Sequence, residues 1–261
     1  MMKEIKIHAF DLGDVHVDQS FVTGRMGMGT KVLGKYGCYY VEADGRKIMV
    51  DTGPAAPEHV KKYHNELSPR MAPDQQSMIQ LRKQAGVEPE EIDTILLTHL
   101  HWDHAYHLEK YPNARIHVSR TELDFALNPL PPYWFVYESW QVGMTPYFVQ
   151  SMSRMVQLEM APVRITEHVT MIPTPGHSPG HMAVIVETAE GPFVLAGDAI
   201  ATRENLKPLP ERRLPFHMIG LYMDFAAAWK SLESIMQAAG GDDTRVLGVH
   251  DPEALAKKIY P

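Results

Sequence analysis

The sequence predicts a layered α/β domain in which helices cover β-sheets. Three features carry that prediction. Strand-like and helix-like segments alternate twice, in two halves of the chain. No fixed-period repeat, low-complexity tract or linker-like stretch divides it. Of its 261 residues 44% are hydrophobic, enough to bury a substantial core. Residues 1–261 are therefore read as one domain.

The first third reads as β-rich. Residues 5–10 alternate apolar and polar side chains, as a half-buried strand does. Residues 36–42 and 47–51 flank Ala43-Asp44-Gly45-Arg46, which reads as a hairpin turn. Residues 74–85 have helical spacing through Met78, Leu81 and Ala85, with Pro73 as a start signal and Gly86 as a stop. Residues 94–98 form a short apolar run of buried-strand type, and 115–119 are the next strand. Ser119-Arg120-Thr121-Glu122 has the spacing of a capping box that opens a helix. Residues 121–165 are rich in Pro, Trp, Tyr, Phe and Met without strand alternation, and read as a helical insertion capping a pocket. Strand patterns return at 169–173, 182–187 and 193–197. A helix over 224–239 stops at Gly240-Gly241, followed by a last strand over 244–249 and a last short helix over 253–259.

Composition excludes several classes. Met1-Met2-Lys3-Glu4-Ile5-Lys6 lacks the apolar run of a signal peptide, and no stretch approaches the roughly 20 apolar residues of a membrane span. A cytoplasmic protein with no membrane partner is expected. Cys38 is the sole cysteine, which rules out an internal disulfide and a thiolate metal cluster. A formal net charge of −7 with no long Lys/Arg run disfavours nucleic acid as a partner. The 14 histidines raise the prior for a metal site without locating one.

Thr98-His99-Leu100-His101-Trp102-Asp103-His104 is the informative segment. It follows an apolar strand. His99 and His101 are two apart, so on extended backbone their side chains share a side. Asp103 and His104 follow where the chain must turn. Imidazole and carboxylate suit zinc and related divalent ions. Groups on one short loop cannot easily surround an ion, so further ligands are expected from elsewhere. His177, Asp198 and His250 each lie at or just after the C-terminal end of an expected strand, the edge where α/β sheets place their sites. Taken singly, each is an ordinary polar residue at a strand end. The compact His-x-His-x-Asp-His cluster is different, because crowding such groups without a cation brings little apolar gain.

With Val50-Asp51-Thr52-Gly53, Thr174-Pro175-Gly176-His177, Gly197-Asp198-Ala199 and Gly248-Val249-His250-Asp251, the cluster resembles the metallo-β-lactamase superfamily, and most of all its N-acyl homoserine lactonase branch. These motifs stand in family order over residues 50–251. The resemblance implies an αββα sandwich with two divalent metal ions at one edge, zinc in the first place, with iron, manganese or cobalt as alternatives. It implies that His99, His101 and His177 hold one ion, that Asp103, His104 and His250 hold the second, and that Asp198 bridges them. Asp51 would orient the ligand loop by hydrogen bonds. Its ordinary reading is a turn Asp before Gly53.

The expected reaction is hydrolysis of a lactone or carboxylic ester by a metal-activated hydroxide, a quorum-quenching lactonase chemistry. Asp103 is expected to hold the nucleophile and pass its proton to the leaving group. Lactonases resembling this chain often carry a Tyr shortly after the bridging Asp, and Asp198-Ala199-Ile200-Ala201 has none. Tyr222, Tyr106 or His217 could supply that donor. Tyr106-His107 also replaces a pair of small residues. Tyr133, Trp134, Phe135, Tyr137, Trp140, Tyr147 and Phe148, with Met26 and Met28, could line a pocket for a small-molecule substrate with an apolar or aromatic portion. Core packing or a homodimer contact is the competing reading of each. Competing activities are amide or cyclic-amide hydrolysis, a thioesterase of the glyoxalase II type, an iron-dependent oxidoreductase, and a non-catalytic metal-binding protein. The glyoxalase II type resembles this chain less, because the chain ends soon after His250.

Overall fold

In the computed structural model, residues 5–24, 26–64, 67, 70–72 and 74–261 are described. Met1 to Glu4, read above for a leader, and Pro73, read as a helix start, lie outside them.

Alternating side chains make each strand two-faced, and this pattern dictates the layers. Along the chain the strands are β1 (Lys6–Asp18), β2 (Lys31–Ala43), β3 (Arg46–Val50), β4 (Thr94–Leu96), β5 (Arg115–Ser119), β6 (Met155–Leu158), β7 (Val163–Arg164), β8 (Val169–Pro173), β9 (Met182–Thr188), β10 (Gly191–Gly197), β11 (Val246–Gly248) and β12 (Ile259–Tyr260). They form a seven-stranded sheet, β12-β1-β2-β3-β4-β5-β6, and a five-stranded sheet, β11-β10-β9-β8-β7. The helices are α1 (Gln19–Val22), α2 (Pro57–Tyr63), α3 (Ser77–Gln80), α4 (Arg120–Leu127), α5 (Phe225–Ala238) and α6 (Pro252–Ala256).

Tyr39 and Val41 of β2 pack with Phe193 and Leu195 of β10 between the sheets. Cys38 and Tyr40 face outward, against Val60 of α2, Met78 of α3 and Leu123 of α4. Val194 and Ala196 face the other way, onto Leu232 and Ile235 of α5. The result is helix, sheet, sheet, helix: the αββα sandwich. Asp224 caps α5 by accepting the Ala227 N–H at 3.0 Å. The hairpin between β2 and β3 turns through Asp44 (φ 56) and Gly45 (φ 76), the left-handed pair of a type I′ turn.

Several elements differ from the sequence expectation. β1 runs on to Asp18, because a bulge between Asp11 and Gly13 leaves Leu12 without a partner and resets the alternation. The helix expected over 74–85 starts at Ser77, and Leu81–Ala85 continue it as a π-turn ended by left-handed Gly86. Within 121–165 only α4 is a full helix. Pro131–Tyr133 and Val149–Arg154 fold as 3-10 turns, the first opened by two prolines, and Met155–Leu158 is a strand parallel to β5. The expected last strand shortens to β11 behind a 3-10 turn. The expected final helix stops at Ala256, so that Ile259 and Tyr260 pair with β1. Ser119 does cap α4, accepting from the Glu122 N–H, but the Glu122 carboxylate does not reach back to complete the box. Among the described residues no helix is long and apolar enough to cross a membrane.

Candidate metal centre

β3, β4, β8, β10 and β11 end around one pit, and the residues that follow them converge there. Asp51 leaves β3 with φ 59, uncommon for a non-glycine residue, and is fully buried. Its Oδ1 accepts the Thr98 N–H at 2.8 Å, and its Oδ2 accepts the Thr98 hydroxyl at 2.8 Å. The same Oδ2 lies 2.9 Å from His104 Nδ1. Asp51 thus ties the end of β3 to the start of the ligand loop and fixes the His104 ring.

These contacts settle which imidazole nitrogens are bare. The Thr98 hydroxyl gives its proton to Asp51, so His99 Nδ1, 3.1 Å away, donates to the Thr98 oxygen. His104 Nδ1 donates to Asp51. His177 Nδ1 donates to the Leu221 carbonyl at 2.9 Å, and His250 Nδ1 to the Lys35 carbonyl at 2.6 Å. In the neutral form, all four rings therefore present an unprotonated Nε2. His177 Nε2 faces His101 Nδ1 at 3.0 Å and Asp198 Oδ2 at 3.4 Å. His104 Nε2 and His250 Nε2 each lie 3.1 Å from Asp198 Oδ1, and Asp103 Oδ2 is 3.8 Å and 3.7 Å from the same two nitrogens.

Where His104, His250 and His177 face Asp198, lone pair meets lone pair, which is repulsive unless positive charge lies between. His99 Nε2, His101 Nε2, His104 Nε2 and Asp198 Oδ1 are buried with no hydrogen-bond partner of acceptable geometry. Two sets of ligand atoms, His99–His101–His177 and Asp103–His104–His250, each gather closely enough to share an ion, and His99–His104–Asp198 forms a third, overlapping set. Nitrogen and carboxylate donors of this kind fit zinc and similar divalent ions.

Protonation follows the same geometry. Burial, reinforced by the neighbouring imidazoles, holds His99 and His101 well below the ordinary histidine value. Burial would lower His104 and His250 too, but Asp198 and then Asp103 outweigh it and raise both. Burial would raise Asp198, yet His104, His250 and His177 hold it well below the usual carboxylate range.

The scaffold braces both ligand loops through one buried carboxylate. Glu122 Oε1 accepts the Leu100 N–H (3.0 Å), between His99 and His101, and the Tyr137 hydroxyl (2.8 Å). Its Oε2 accepts the Ser178 hydroxyl (2.6 Å) and the Gly180 N–H (3.1 Å), beyond His177. The Tyr147 hydroxyl donates to the Leu100 carbonyl. His181, pushed down to about 3 by burial and by His177, stays neutral and accepts the Asp198 N–H on Nε2 at 3.0 Å. Gly176 has φ 132, and a Cβ there would lie 2.3 Å from the Ala228 backbone nitrogen, so α5 can pack against the His177 loop only at a glycine.

A cavity of about 410 Å³ opens above the cluster. Its floor carries His101, Asp103, His177, Asp198 and His250, and its walls include Val15, Val17, Phe21, Ile219 and Leu221. Of the expected substrate contacts, Tyr222 and Tyr133 are on the wall. Tyr222 makes no hydrogen bond among the described residues, so its hydroxyl is unspent; its ring packs on Phe225. Tyr106, His217, Trp134 and Met26 are not on this wall. The Tyr106 hydroxyl is engaged by Glu138 at 3.0 Å, Trp134 donates to the Pro129 carbonyl, and the His217 N–H is paired with the Asn205 carbonyl. Half-buried Met26 donates its N–H to the Thr23 carbonyl, and Met28 is 73% exposed. Tyr137 and Phe148 are core residues, while Phe135 and Trp140 face outward. Sequence reasoning missed Tyr36, whose ring stands edge-on to His250 and whose hydroxyl donates to the Leu67 carbonyl. It also missed Glu122 and His181. The one signal for His181 was its place in the same Gly/Pro-rich loop as His177.

Residues 37–249 match the metallo-beta-lactamase superfamily. An N-acyl homoserine lactonase of Bacillus sp. is 27% identical over 265 residues, 98% of this chain and 97% of that protein. A structure of a B. thuringiensis AiiA mutant with N-decanoyl-L-homoserine bound at its active site superposes with a TM-score of 0.75 at 25% identity, covering 98% and 97% of the two chains. AidC, described as a dizinc quorum-quenching lactonase, shares the fold with a TM-score of 0.67 at 17% identity, covering 97% of this chain and 89% of that one.

Two outcomes are expected. Metal loading should release protons, because the raised values of His104 and His250 favour protons that the ion displaces. The release should shrink as pH rises through those values; calorimetry in buffers of different ionisation enthalpy measures it, and release independent of pH would contradict the assignment. Glu122→Ala should weaken metal binding by about 10- to 100-fold in chelator competition. Glu122→Gln should fall in between, since its amide cannot accept the Gly180 N–H.

Proposed function

Because the chain belongs to the metallo-beta-lactamase superfamily, we propose that it is a lactonase, opening the ring of N-acyl homoserine lactones at a centre of two divalent ions. Metal-dependent hydrolysis is the coarse activity; the lactone and the paired ions are the finer reading. One observation carries it: an apolar cavity whose floor is the ligand cluster.

His99, His101 and His177 would hold one ion, and Asp103, His104 and His250 the other. Asp198 would bridge them, with Oδ1 toward His104 and His250 and Oδ2 toward His177. Zinc suits this donor set, and iron, manganese or cobalt would bind the same groups. When bound, such a pair lowers the pKa of a shared water, polarises the carbonyl and stabilises the departing alkoxide.

The chain's own residues supply the rest. Asp103 reaches the cavity floor, where its carboxylate can take a proton from the attacking water and return it to the leaving oxygen. Tyr222 offers its unspent hydroxyl to a substrate carbonyl and takes the part of the tyrosine absent after Asp198. Val15, Val17, Phe21, Ile219 and Leu221 shed water around an acyl chain, each buried methylene contributing about 0.8 kcal/mol. The segment 121–165 acts as a cap through Tyr133 and Val136, which close one side of the cavity.

A hydrolysis screen of the zinc-loaded protein tests this reading. N-acyl homoserine lactones with medium or long acyl chains should outrank simple esters, thioesters and amides. Tyr222→Phe should lower kcat/KM about three- to tenfold, the worth of one hydrogen bond, with metal content unchanged. A consistent preference for thioesters or amides would reject the lactone assignment and leave the metal centre intact.

A further inference from the structure

A second convergence of metal-ligand side chains lies beside the first. His59 is on α2, His64 caps its C-terminal end, and Glu138 and Tyr106 come from two loops. His59 Nε2 and His64 Nε2 approach the same oxygen, Glu138 Oε1, at 2.7 Å and 2.8 Å. The Tyr106 hydroxyl is 3.0 Å from both Glu138 Oε2 and His59 Nε2. From these contacts we infer that His59, His64 and Glu138 form a further site for a zinc-like divalent cation, with Tyr106 oxygen or water completing its shell.

The argument is one of pattern, spacing and charge. Two imidazole Nε2 atoms on one carboxylate oxygen is the arrangement at Asp198, where His104 and His250 do the same at 3.1 Å. Tetrahedral zinc with bonds near 2.0–2.2 Å sets its ligand atoms roughly 3.3–3.5 Å apart. The observed spacings need each ligand to recede by only about half an ångström. Glu138 is 1% exposed, so its carboxylate meets the two imidazoles away from bulk water. A buried carboxylate is well matched by a cation held against it. Glu138 holds φ 47, a conformation that costs a non-glycine residue energy and recurs where a side chain must be aimed. The His59 side chain is 27% exposed, which leaves a way in from solvent.

The site is structural. His64 stacks on Trp102 with centroids 4.4 Å apart and planes at 16°, and Trp102 stands between His101 and Asp103. An ion here would fasten α2 to the loop carrying the ligands of the main centre. It is independent of the lactonase reading.

The test counts zinc. The full chain is stripped with chelator, reloaded with excess zinc, freed of unbound metal and analysed for zinc per chain by emission spectrometry. His59→Gln should retain one zinc fewer than the unaltered chain, with native circular dichroism. A His101→Ala/His104→Ala/Asp198→Ala chain, which loses ligands from both ion sites of the main centre, should still hold one zinc and lose it when His59→Gln is added. Equal zinc in the unaltered and His59→Gln chains would overturn the proposal, as would no zinc in the triple variant. A main centre holding fewer ions than proposed lowers the unaltered and His59→Gln counts equally and leaves their difference unchanged.

Discussion

Bare imidazole nitrogens and carboxylate oxygens crowded into a buried pit are the constraint on which this structure turns. His104 Nε2 and His250 Nε2 each lie 3.1 Å from Asp198 Oδ1, but the protons of both rings are already committed elsewhere through Nδ1. Such an arrangement is stable only with positive charge inside it. Asp198 and Asp103 raise His104 and His250, which favours a proton there. Divalent ions supply it far better, because each accepts several lone pairs at once.

Much of the surrounding fold keeps those lone pairs aimed inward. Five strands from two sheets end around the pit, so ligands far apart in the chain meet without long loops. Asp51 locks the start of the ligand loop, Glu122 joins the Leu100 and Ser178–Gly180 segments, and the His181 ring supports Asp198. The aromatic segment contributes less to a substrate wall than to this bracing. Tyr137 and Tyr147 both brace the Leu100 segment, one through Glu122 and one through the Leu100 carbonyl. The division of labour is physical: a ligand atom must be fixed to within a fraction of an ångström, whereas an acyl chain needs only a dry, roomy wall.

How much of this could be read from the sequence depended on how local each signal was. His99, His101, Asp103 and His104 announce themselves by spacing, and the strand ends before His177, Asp198 and His250 follow from short apolar runs. The layered architecture follows from period-two strands alternating with helices. Glu122 was hidden because a local device, the capping box, accounted for it fully; only the folded chain carries its carboxylate to Ser178 and Gly180. The pairing of His59 and His64 with Glu138 joins residues too far apart in sequence for any spacing rule. Aromatic richness over 121–165 correctly marked an unusual segment but not the fate of each ring, since burial, bracing and cavity lining draw on the same residue types. The strand Met155–Leu158 sits at a sheet edge, where neighbours rather than alternation decide its conformation.

Anomalous diffraction at the zinc edge from crystals of the metal-loaded chain addresses the central claim directly. Two ions are predicted, one among His99, His101 and His177 and one among Asp103, His104 and His250, both touching Asp198 at about 2.0–2.2 Å. Zinc bound elsewhere, with these side chains remaining in mutual contact and no ion between them, would contradict the account.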